Sequence, residues 1–325
     1  MSIPWKIKLI LSLLSPIRNL CFRSNFTINR SLYNFLDRKT PPSPPSSHDV
    51  IIDPSRNLWF RLFNPSATAN AASDNLPLPV IVYFHGGGFV TSSPDSAPFH
   101  SLAHRFSENL RAVVVSVNYR LAPEHRYPAQ YDDGFDAVKF LDSSVDILPP
   151  TADLTRCFLA GDSAGGNLAH HVAVRASGFK FQRVKLRGVI ALQPFFGGEE
   201  RTESEIQIGN SAPGLTVESA DWYWKAFLPN GSNRDHPAVN VFGPESIEIS
   251  GLELSDSIVV FGGLDPVQDW QKRYCEGLRK AGKEVKLLEY PNAFHGFYIF
   301  PELPECSLMM NEIKDFMILQ LKKIN

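Results

Sequence analysis

A serine that could act as a nucleophile lies at the centre of the stretch Gly161–Gly165, which reads Gly-Asp-Ser-Ala-Gly. The mostly apolar residues 156–160 before it are typical of a buried strand, and residues 167–176 after it are typical of a helix. A strand, a tight turn with serine at its apex and a helix together present a nucleophilic hydroxyl above a sheet. Only small neighbours fit, because the serine backbone is strained in such a turn. Alone, the same five residues would also fit an ordinary glycine-rich turn.

A second glycine-rich stretch, His85–Phe89, supports the nucleophile interpretation. It follows the apolar run 80–84, and its glycines let backbone N–H groups face a substrate oxygen with no side chain between them. Each donor of such an oxyanion hole can stabilise the transition state by roughly 3 kcal/mol. The predicted oxyanion-hole residues are Gly86, Gly87, Gly88 and Ala164. Within this set Gly86 shapes the turn, and the backbone N–H groups of Gly87, Gly88 and Ala164 donate to the substrate oxygen. Phosphate binding is disfavoured, because no Lys-Ser or Lys-Thr pair follows the glycines.

The serine needs a general base, and His295 is the histidine best placed for that role. In this arrangement the base follows the nucleophile and the acid along the chain. His295 comes after the strand-like run 285–290, in a loop with aromatic neighbours and a glycine. His170 and His171 are expected on the helix after the turn, where they point away or pack. His236 lies in a turn-like stretch far from any strand end.

Asp265 is the predicted acid that orients the imidazole of the base. It follows the run 257–261, which is typical of a buried strand. Asp269 is the competitor, but it falls inside the helix that Pro266 is expected to start, where an acid needs no further role. The carboxylate would hold the imidazole tautomer and stabilise its cation without taking the proton. Asp162, beside the serine, is predicted to make structural contacts.

The composition fits one large domain with a sizeable core. The chain has 325 residues, of which 43% are hydrophobic. A net charge of −2 without basic blocks argues against a nucleic-acid partner or an anionic membrane surface. Four scattered cysteines without C-x-x-C spacing favour a reducing compartment, and the predicted location is the cytoplasm, with the nucleus as an additional location. The sequence holds no metal or cofactor motif, so no cofactor is expected.

Strands and helices alternate along most of the chain. After the proline- and serine-rich residues 41–47, the run 50–62 alternates like one or two edge strands, and residues 64–79 are typical of an exposed loop. Strand-like runs then recur, with helix-like segments between them, at 80–84, 113–117, 158–160, 186–191, 258–261 and 285–290. This order predicts an α/β fold with a mostly parallel sheet and helices on both faces. We expect residues 1–40 to form a separate helical segment and residues 41–325 to form the sheet domain.

Residues 5–20 have the spacing of an amphipathic helix. The apolar positions recur at helical intervals, at Trp5, Leu9, Ile10, Leu13, Leu14, Ile17 and Leu20. The run is too short to span a bilayer, and no small-x-small cleavage site follows it. The pattern therefore favours a helix that packs on the domain over a targeting signal.

Four stretches together resemble the hormone-sensitive-lipase-type branch of the α/β-hydrolases, and plant carboxylesterases in particular. They are His85–Phe89, Tyr119–His125, Gly161–Asn167 and Asp265–Pro266. The resemblance covers almost the whole chain and implies an α/β-hydrolase fold in which residues 1–40 form a helical lid. It also implies a serine carboxylesterase whose catalytic residues are Ser163, Asp265 and His295 and whose partner is a small-molecule ester.

Two other stretches, Asn29–Lys39 and Asp221–Pro229, resemble the gibberellin receptor, a relative on the same scaffold. In that receptor an N-terminal lid closes over a hormone and a protein partner is recruited. The resemblance therefore implies a second function class, a hormone-binding protein without turnover. The receptor pattern lacks the catalytic histidine and carries serine in place of the third glycine, whereas this chain keeps His295 and Gly88. A dehydratase relative carries threonine at the nucleophile, so Ser163 argues against elimination.

The predicted reaction is the hydrolysis of a carboxylic ester through an acyl-enzyme on Ser163. The lid and the aromatic stretch Trp222–Phe227 would select the substrate. An apolar cap over the site favours small or medium apolar acyl groups over long triglycerides. Arg120 and Glu124 are expected to pair with each other inside a packed turn.

Overall fold

The computed structural model describes residues 3–66, 77–209 and 211–323, and most of the loop expected at 64–79 lies outside these ranges. The strands are β1 (Ser47–Asp53), β2 (Leu58–Phe63), β3 (Leu78–Phe84), β4 (Val113–Asn118), β5 (Ala152–Asp162), β6 (Leu186–Leu192), β7 (Ser257–Leu264) and β8 (Val285–Phe294). The helices are α1 (Trp5–Cys21), α2 (Arg30–Leu36), α3 (Ala97–Leu110), α4 (Ala129–Ser143), α5 (Ala164–Ser177), α6 (Glu203–Ile208), α7 (Val217–Phe227), α8 (Gln268–Lys280) and α9 (Pro304–Lys322).

The described strands form one sheet in the order β1-β2-β4-β3-β5-β6-β7-β8. β2 is antiparallel to β1 and β4, whereas the neighbours from β4 across to β8 are parallel. The predicted α/β fold with a mostly parallel sheet is confirmed. Because parallel strands end at the same edge, the residues that follow β3, β5, β6, β7 and β8 meet at the carboxyl edge of the sheet.

The central strands are buried on both faces, which explains why they are almost continuously apolar in sequence. In β3, the side chains of Val80, Val82 and Phe84 pack in the cluster that contains α4, α5 and α8. Ile81 and Tyr83 point to the other face and pack in the cluster that contains α3 and α9. Helices therefore cover both faces of the sheet.

Two helices that border the carboxyl edge have well-capped N-termini. At the start of α6, the Thr202 side chain accepts from the Glu205 N–H while the Glu205 side chain accepts from the Thr202 N–H. Thr216 and Ser219 form the same reciprocal pair at the start of α7. Such capping boxes satisfy backbone donors that would otherwise be left without partners. The first box fixes the start of α6, and the second fixes the point where the segment between α6 and α7 enters α7.

The N-terminal segment, residues 3–40, is tied to the sheet domain by charged and polar contacts. Arg30 Nη2 pairs with Glu124 at 2.7 Å and donates to the carbonyl of Ala122 at 2.9 Å. Lys39 Nζ pairs with Asp95 at 3.0 Å. These contacts hold α2 and the residues after it against the loops that follow β3 and β4.

The face of α1 that packs on the domain is not the predicted one. The helix itself is confirmed, but Trp5 and Leu9 are 71% and 53% exposed. Ile7 is fully buried, and it packs with Ile3 and Leu11 in the cluster that contains the end of β8 and the start of α9. The helix is apolar on two sides, and hydrophobic spacing alone cannot show which side meets the domain.

Arg120 and Glu124 do not pair with each other, contrary to expectation. Arg120 Nε donates to Asp133 at 2.8 Å, and Arg56 pairs with the same carboxylate at 3.1 Å. The Asp133 side chain is fully buried, so it needs charged, hydrogen-bonded partners. Glu124 is left to pair with Arg30 on the N-terminal segment.

The cysteines are all buried and free, as the scattered spacing indicated. Cys157 lies in β5, where burial raises the pKa of its thiol to about 12. A thiol with so high a pKa is unreactive, and Cys157 acts as a small core residue. Separately, no helix within the described ranges has both the length and the apolar character that crossing a bilayer requires.

The substitution Ile7→Ala should loosen α1, because deleting a fully buried isoleucine side chain costs about 2–5 kcal/mol. The matched control is Ile10→Ala, which removes the same atoms from a side chain that is 45% exposed. Hydrogen exchange measured by mass spectrometry should show faster exchange of the α1 amides in Ile7→Ala only. Equal exchange in the two variants would contradict the assignment of the buried face.

Candidate active site

Ser163 lies at a strained turn between β5 and α5. Its backbone angles are φ 52° and ψ −119°, a conformation that non-glycine residues rarely adopt. A Cβ atom on Gly165 would lie 1.9 Å from the carbonyl oxygen of Phe84, and one on Gly161 would lie 2.0 Å from the carbonyl oxygen of Gly165. Glycine is therefore required at both positions so that α5 can start directly against the end of β3.

The structure brings Ser163, His295 and Asp265 into one chain of hydrogen bonds. His295 follows β8, and its Nε2 lies 2.9 Å from Ser163 Oγ. The other ring nitrogen, Nδ1, lies 2.7 Å from Asp265 Oδ2. The Asp265 side chain is fully buried, whereas the His295 side chain keeps 9% of its exposure. This geometry allows Ser163 to donate its proton to the imidazole while Nδ1–H donates to the carboxylate.

Two glutamines that the sequence analysis missed hold Asp265 in place. Gln193 Nε2 and Gln271 Nε2 donate to Asp265 Oδ2 at 3.0 and 2.9 Å. The amide of Val267 donates to Oδ1 at 3.0 Å. Gln193 also accepts from the Gly296 N–H at 2.8 Å, so it braces the loop that carries the histidine. Gln193 could have been found from the sequence, because it comes directly after β6, at the carboxyl edge of the sheet.

Asp162 makes the structural contacts predicted for it, and they reach the glycine loop after β3. Its Oδ1 accepts from the Gly86 N–H at 2.9 Å and from the Tyr83 hydroxyl. Burial raises the pKa of Asp162 to about 6, while hydrogen bonds from Tyr83, Tyr298 and Gly86 oppose that rise. Because its N–H is used here, Gly86 shapes the loop and does not face the cavity as a donor.

An uncharged histidine, His85, supports the same glycine loop after β3. His85 Nδ1 lies 2.7 Å from the carbonyl oxygen of Gly86, and the Tyr119 hydroxyl donates to the carbonyl oxygen of His85 at 2.6 Å. The two rings are stacked with centroids 4.3 Å apart. Burial lowers the pKa of His85 to about 4, so the imidazole is uncharged at neutral pH.

Gly87 and Gly88 adopt conformations that require glycine. Their φ angles are +107° and +62°, and a Cβ atom on Gly88 would lie 2.3 Å from the ring of Tyr223. A serine at this position would therefore collide with that ring. Within the described ranges, the amides of Gly87, Gly88 and Ala164 donate to no protein acceptor. These three amides remain available to a ligand.

The other histidines and the aspartate that were considered for the base and the acid lie away from Ser163. His170 is buried on α5 and lies 3.1 Å from the Tyr274 hydroxyl, and His171 is stacked on Tyr131. His236 accepts from a backbone amide two residues on. Asp269 lies in α8 and accepts from the Ser204 N–H at 2.8 Å. Each of these side chains has a structural partner away from Ser163.

A cavity of about 580 Å³ opens above Ser163 and His295. One wall is formed by Tyr223 and the segment between α6 and α7, and another by the residues after β8. Side chains of α1 form its roof, among them Leu11, Ile17 and Arg18. The lining is mostly apolar, so the cavity suits a small organic ligand more than an extended polymer.

A family model described as the alpha/beta hydrolase fold matches residues 81–299. This chain belongs to the α/β-hydrolase family. The match includes the glycine loop, the serine turn and the loop with His295. The resemblance drawn from the sequence motifs is thereby confirmed.

Similar proteins include both plant receptors and plant esterases. The gibberellin receptor GID1C of Arabidopsis thaliana is 46% identical to this α/β-hydrolase, over 92% of this chain and 89% of the receptor. Probable carboxylesterase 6 of the same plant is 40% identical, over 76% of this chain and 73% of the relative. A hyperthermophilic esterase from Pyrobaculum calidifontis has a similar structure, with a TM-score of 0.76 and 26% identity over 98% of both chains.

The substitution Gln193→Ala should lower the reactivity of Ser163, because Asp265 and the loop of Gly296 would each lose a hydrogen-bond partner. We expect the rate of labelling by a fluorophosphonate to fall about tenfold, the size of one hydrogen bond to a charged group. Gln182→Ala is the matched control, since its side chain is exposed. Unchanged labelling in Gln193→Ala would show that Asp265 does not need this brace.

Proposed function

We propose that this α/β-hydrolase is a serine carboxylesterase. The observation that carries the proposal is the hydrogen-bonded chain from Ser163 through His295 to Asp265, next to free backbone amides at the floor of a mostly apolar cavity. Nucleophile, base and orienting acid in this order are the parts that acyl transfer needs. The esterase relatives support the same reaction class.

In the first half of the proposed reaction, Ser163 Oγ attacks the ester carbonyl carbon as His295 Nε2 takes the hydroxyl proton. Negative charge develops on the carbonyl oxygen, and the amides of Gly87, Gly88 and Ala164 are the donors proposed to stabilise it. Asp265 stabilises the imidazolium that forms. Collapse of the tetrahedral intermediate releases the alcohol, which His295 protonates, and leaves an acyl group on the serine.

In the second half, His295 takes a proton from a water molecule that attacks the acyl-enzyme. The same amides stabilise the second oxyanion, and the proton returns to Ser163 as the carboxylic acid leaves. Asp162 has no direct part in either half. Its proposed role is to hold the glycine loop in register with the serine turn through the Gly86 N–H.

The proposed substrates are esters with small or medium apolar acyl groups. The cavity volume of about 580 Å³ and its mostly apolar lining support this class. We further propose that residues 1–40 act as a lid over the sheet domain, residues 41–325, because side chains of α1 roof the cavity. The plant relatives support a plant origin, and the cytoplasmic location stays a prediction from the sequence.

The substitution Ser163→Ala should lower the hydrolysis of 4-nitrophenyl butyrate by at least about a thousandfold, because no acyl-enzyme can form. His295→Ala should cause a comparable loss, since the serine then has no base. Release of 4-nitrophenolate measures both, and Ser101→Ala on the exposed side of α3 serves as the control. Turnover by Ser163→Ala equal to that of the native protein would disprove the mechanism.

A hormone-binding protein is the second candidate function. The 46% identity to a gibberellin receptor favours it, together with the N-terminal segment that roofs the cavity. Against it stand Gly88, whose Cβ position is filled by the ring of Tyr223, and His295, which is hydrogen-bonded to both partners. A protein that only binds has no use for this complete arrangement.

Gibberellin binding separates the two candidates. Under the enzyme proposal, calorimetric titration of the Ser163→Ala protein with a bioactive gibberellin should show no binding tighter than about 10⁻⁴ M, because the cavity would lack contacts dedicated to the carbon skeleton of the hormone. Submicromolar binding, together with ester hydrolysis that His295→Ala leaves unchanged, would replace the enzyme proposal with the receptor. Hydrolysis that depends on His295 supports the enzyme, and submicromolar hormone binding beside it would show that the protein combines both functions.

A further inference from the structure

Two cations border the cavity on the side of the N-terminal helix. Lys8 and Arg18 both line it, and Arg18 is only partly exposed. No carboxylate among the described side chains pairs with Arg18, whereas Arg30, further along the same segment, is paired with Glu124. Arg18 therefore differs from an arginine that serves to anchor the segment.

Arg18 and Tyr223 both line the cavity. Burial raises the pKa of the Tyr223 hydroxyl, and the positive charge of Arg18 opposes that rise. Tyr223 forms the wall next to Gly88, so Arg18 and the free amides of the glycine loop border the same cavity. A ligand in the cavity would have its reacting group near Ser163 and a second group near Arg18.

Negative charge does not balance these cations within the cavity. Among the described residues that line it, Asp162 is the only carboxylate, and its Oδ1 accepts from both the Gly86 N–H and the Tyr83 hydroxyl. The rest of the lining is mostly apolar. A partly buried cation beside apolar surface lacks the solvation it has in water, and an anionic ligand group would compensate for that loss.

A carboxylate fits this position better than a phosphate. Its two oxygens match the planar fork of an arginine, which can donate two parallel hydrogen bonds. A single negative charge also costs less to remove from water than the nearly double charge of a phosphate monoester. Lys8, which is exposed at the edge of the cavity, would add attraction without a fixed contact.

We propose that the cavity accepts esters that carry a carboxylate remote from the ester bond, with Arg18 as the residue that selects them. Half-esters of dicarboxylic acids are the simplest members of this class. The inference rests on the proposed function, because it assigns the substrate class of the same esterase site.

The test compares matched substrates that differ only in charge. Mono-4-nitrophenyl esters of glutaric, adipic and suberic acid are compared with the diesters in which the free carboxylate is converted to a methyl ester. At each chain length, the kcat/KM of the charged ester is divided by that of its uncharged methyl ester. For at least one length, Arg18→Met should lower this ratio about tenfold, the effect of losing one charged hydrogen-bonded pair. Arg18→Lys should restore part of it. Arg23→Met removes an equal charge from an exposed arginine outside the cavity and should leave the ratio unchanged.

A binding measurement separates failure of this inference from failure of the proposed function. The Ser163→Ala protein is titrated with monomethyl suberate and with dimethyl suberate, with and without Arg18→Met. A preference for the anionic compound that depends on Arg18, without hydrolysis of any ester by the native protein, would support the charge selection and reject the esterase. The inference would be overturned if hydrolysis and binding depended neither on the substrate charge nor on Arg18 at any chain length.

Discussion

The chemistry at the carboxyl edge depends on one close approach of backbone to backbone, between the turn around Ser163 and the end of β3. Gly165 and Gly161 leave no room for a Cβ atom there, since one on Gly165 would lie 1.9 Å from the carbonyl oxygen of Phe84. This contact lets α5 begin directly behind the serine, and the first amide of the helix, that of Ala164, donates to no protein acceptor within the described ranges. The strained φ of 52° at Ser163 persists because the strand before it and the helix after it are both fixed by core packing.

The two halves of the site come from different strands and are joined by a buried carboxylate. Asp162 is the last residue of β5, which leads to the serine, yet its oxygen accepts from the Gly86 N–H in the loop after β3. On the other side, Gln193 after β6 links Asp265 to the loop that carries His295. The reacting groups are thus held by a second layer of polar side chains, and each of these side chains belongs to the carboxyl edge. A layer of this kind fixes distances that separate loops could not fix alone.

Strong local patterns made the fold and the candidate site predictable. The strands around Val80, Val113 and Ile258 are continuous apolar runs, and the serine turn and glycine loop have sequences that few other structures require. Contacts between distant segments were not predictable, because a single sequence does not show which distant residues contact each other. Glu124 pairs across the chain with Arg30 and not with its neighbour Arg120. The packed side of α1 was missed for the same reason, since the helix is apolar on both sides.

The position of the N-terminal segment has a consequence for how the protein folds. Its contacts join residues far apart in sequence: the indole of Trp222 donates to the carbonyl oxygen of Arg23, 199 positions away. Closing so long a loop costs entropy before the contact stabilises anything, so such contacts form late. The sheet, with its serine turn, can assemble before α1 docks. The cavity is complete only once α1 has docked, because side chains of α1 line it, so docking of α1 would be the step that gives the protein its selectivity.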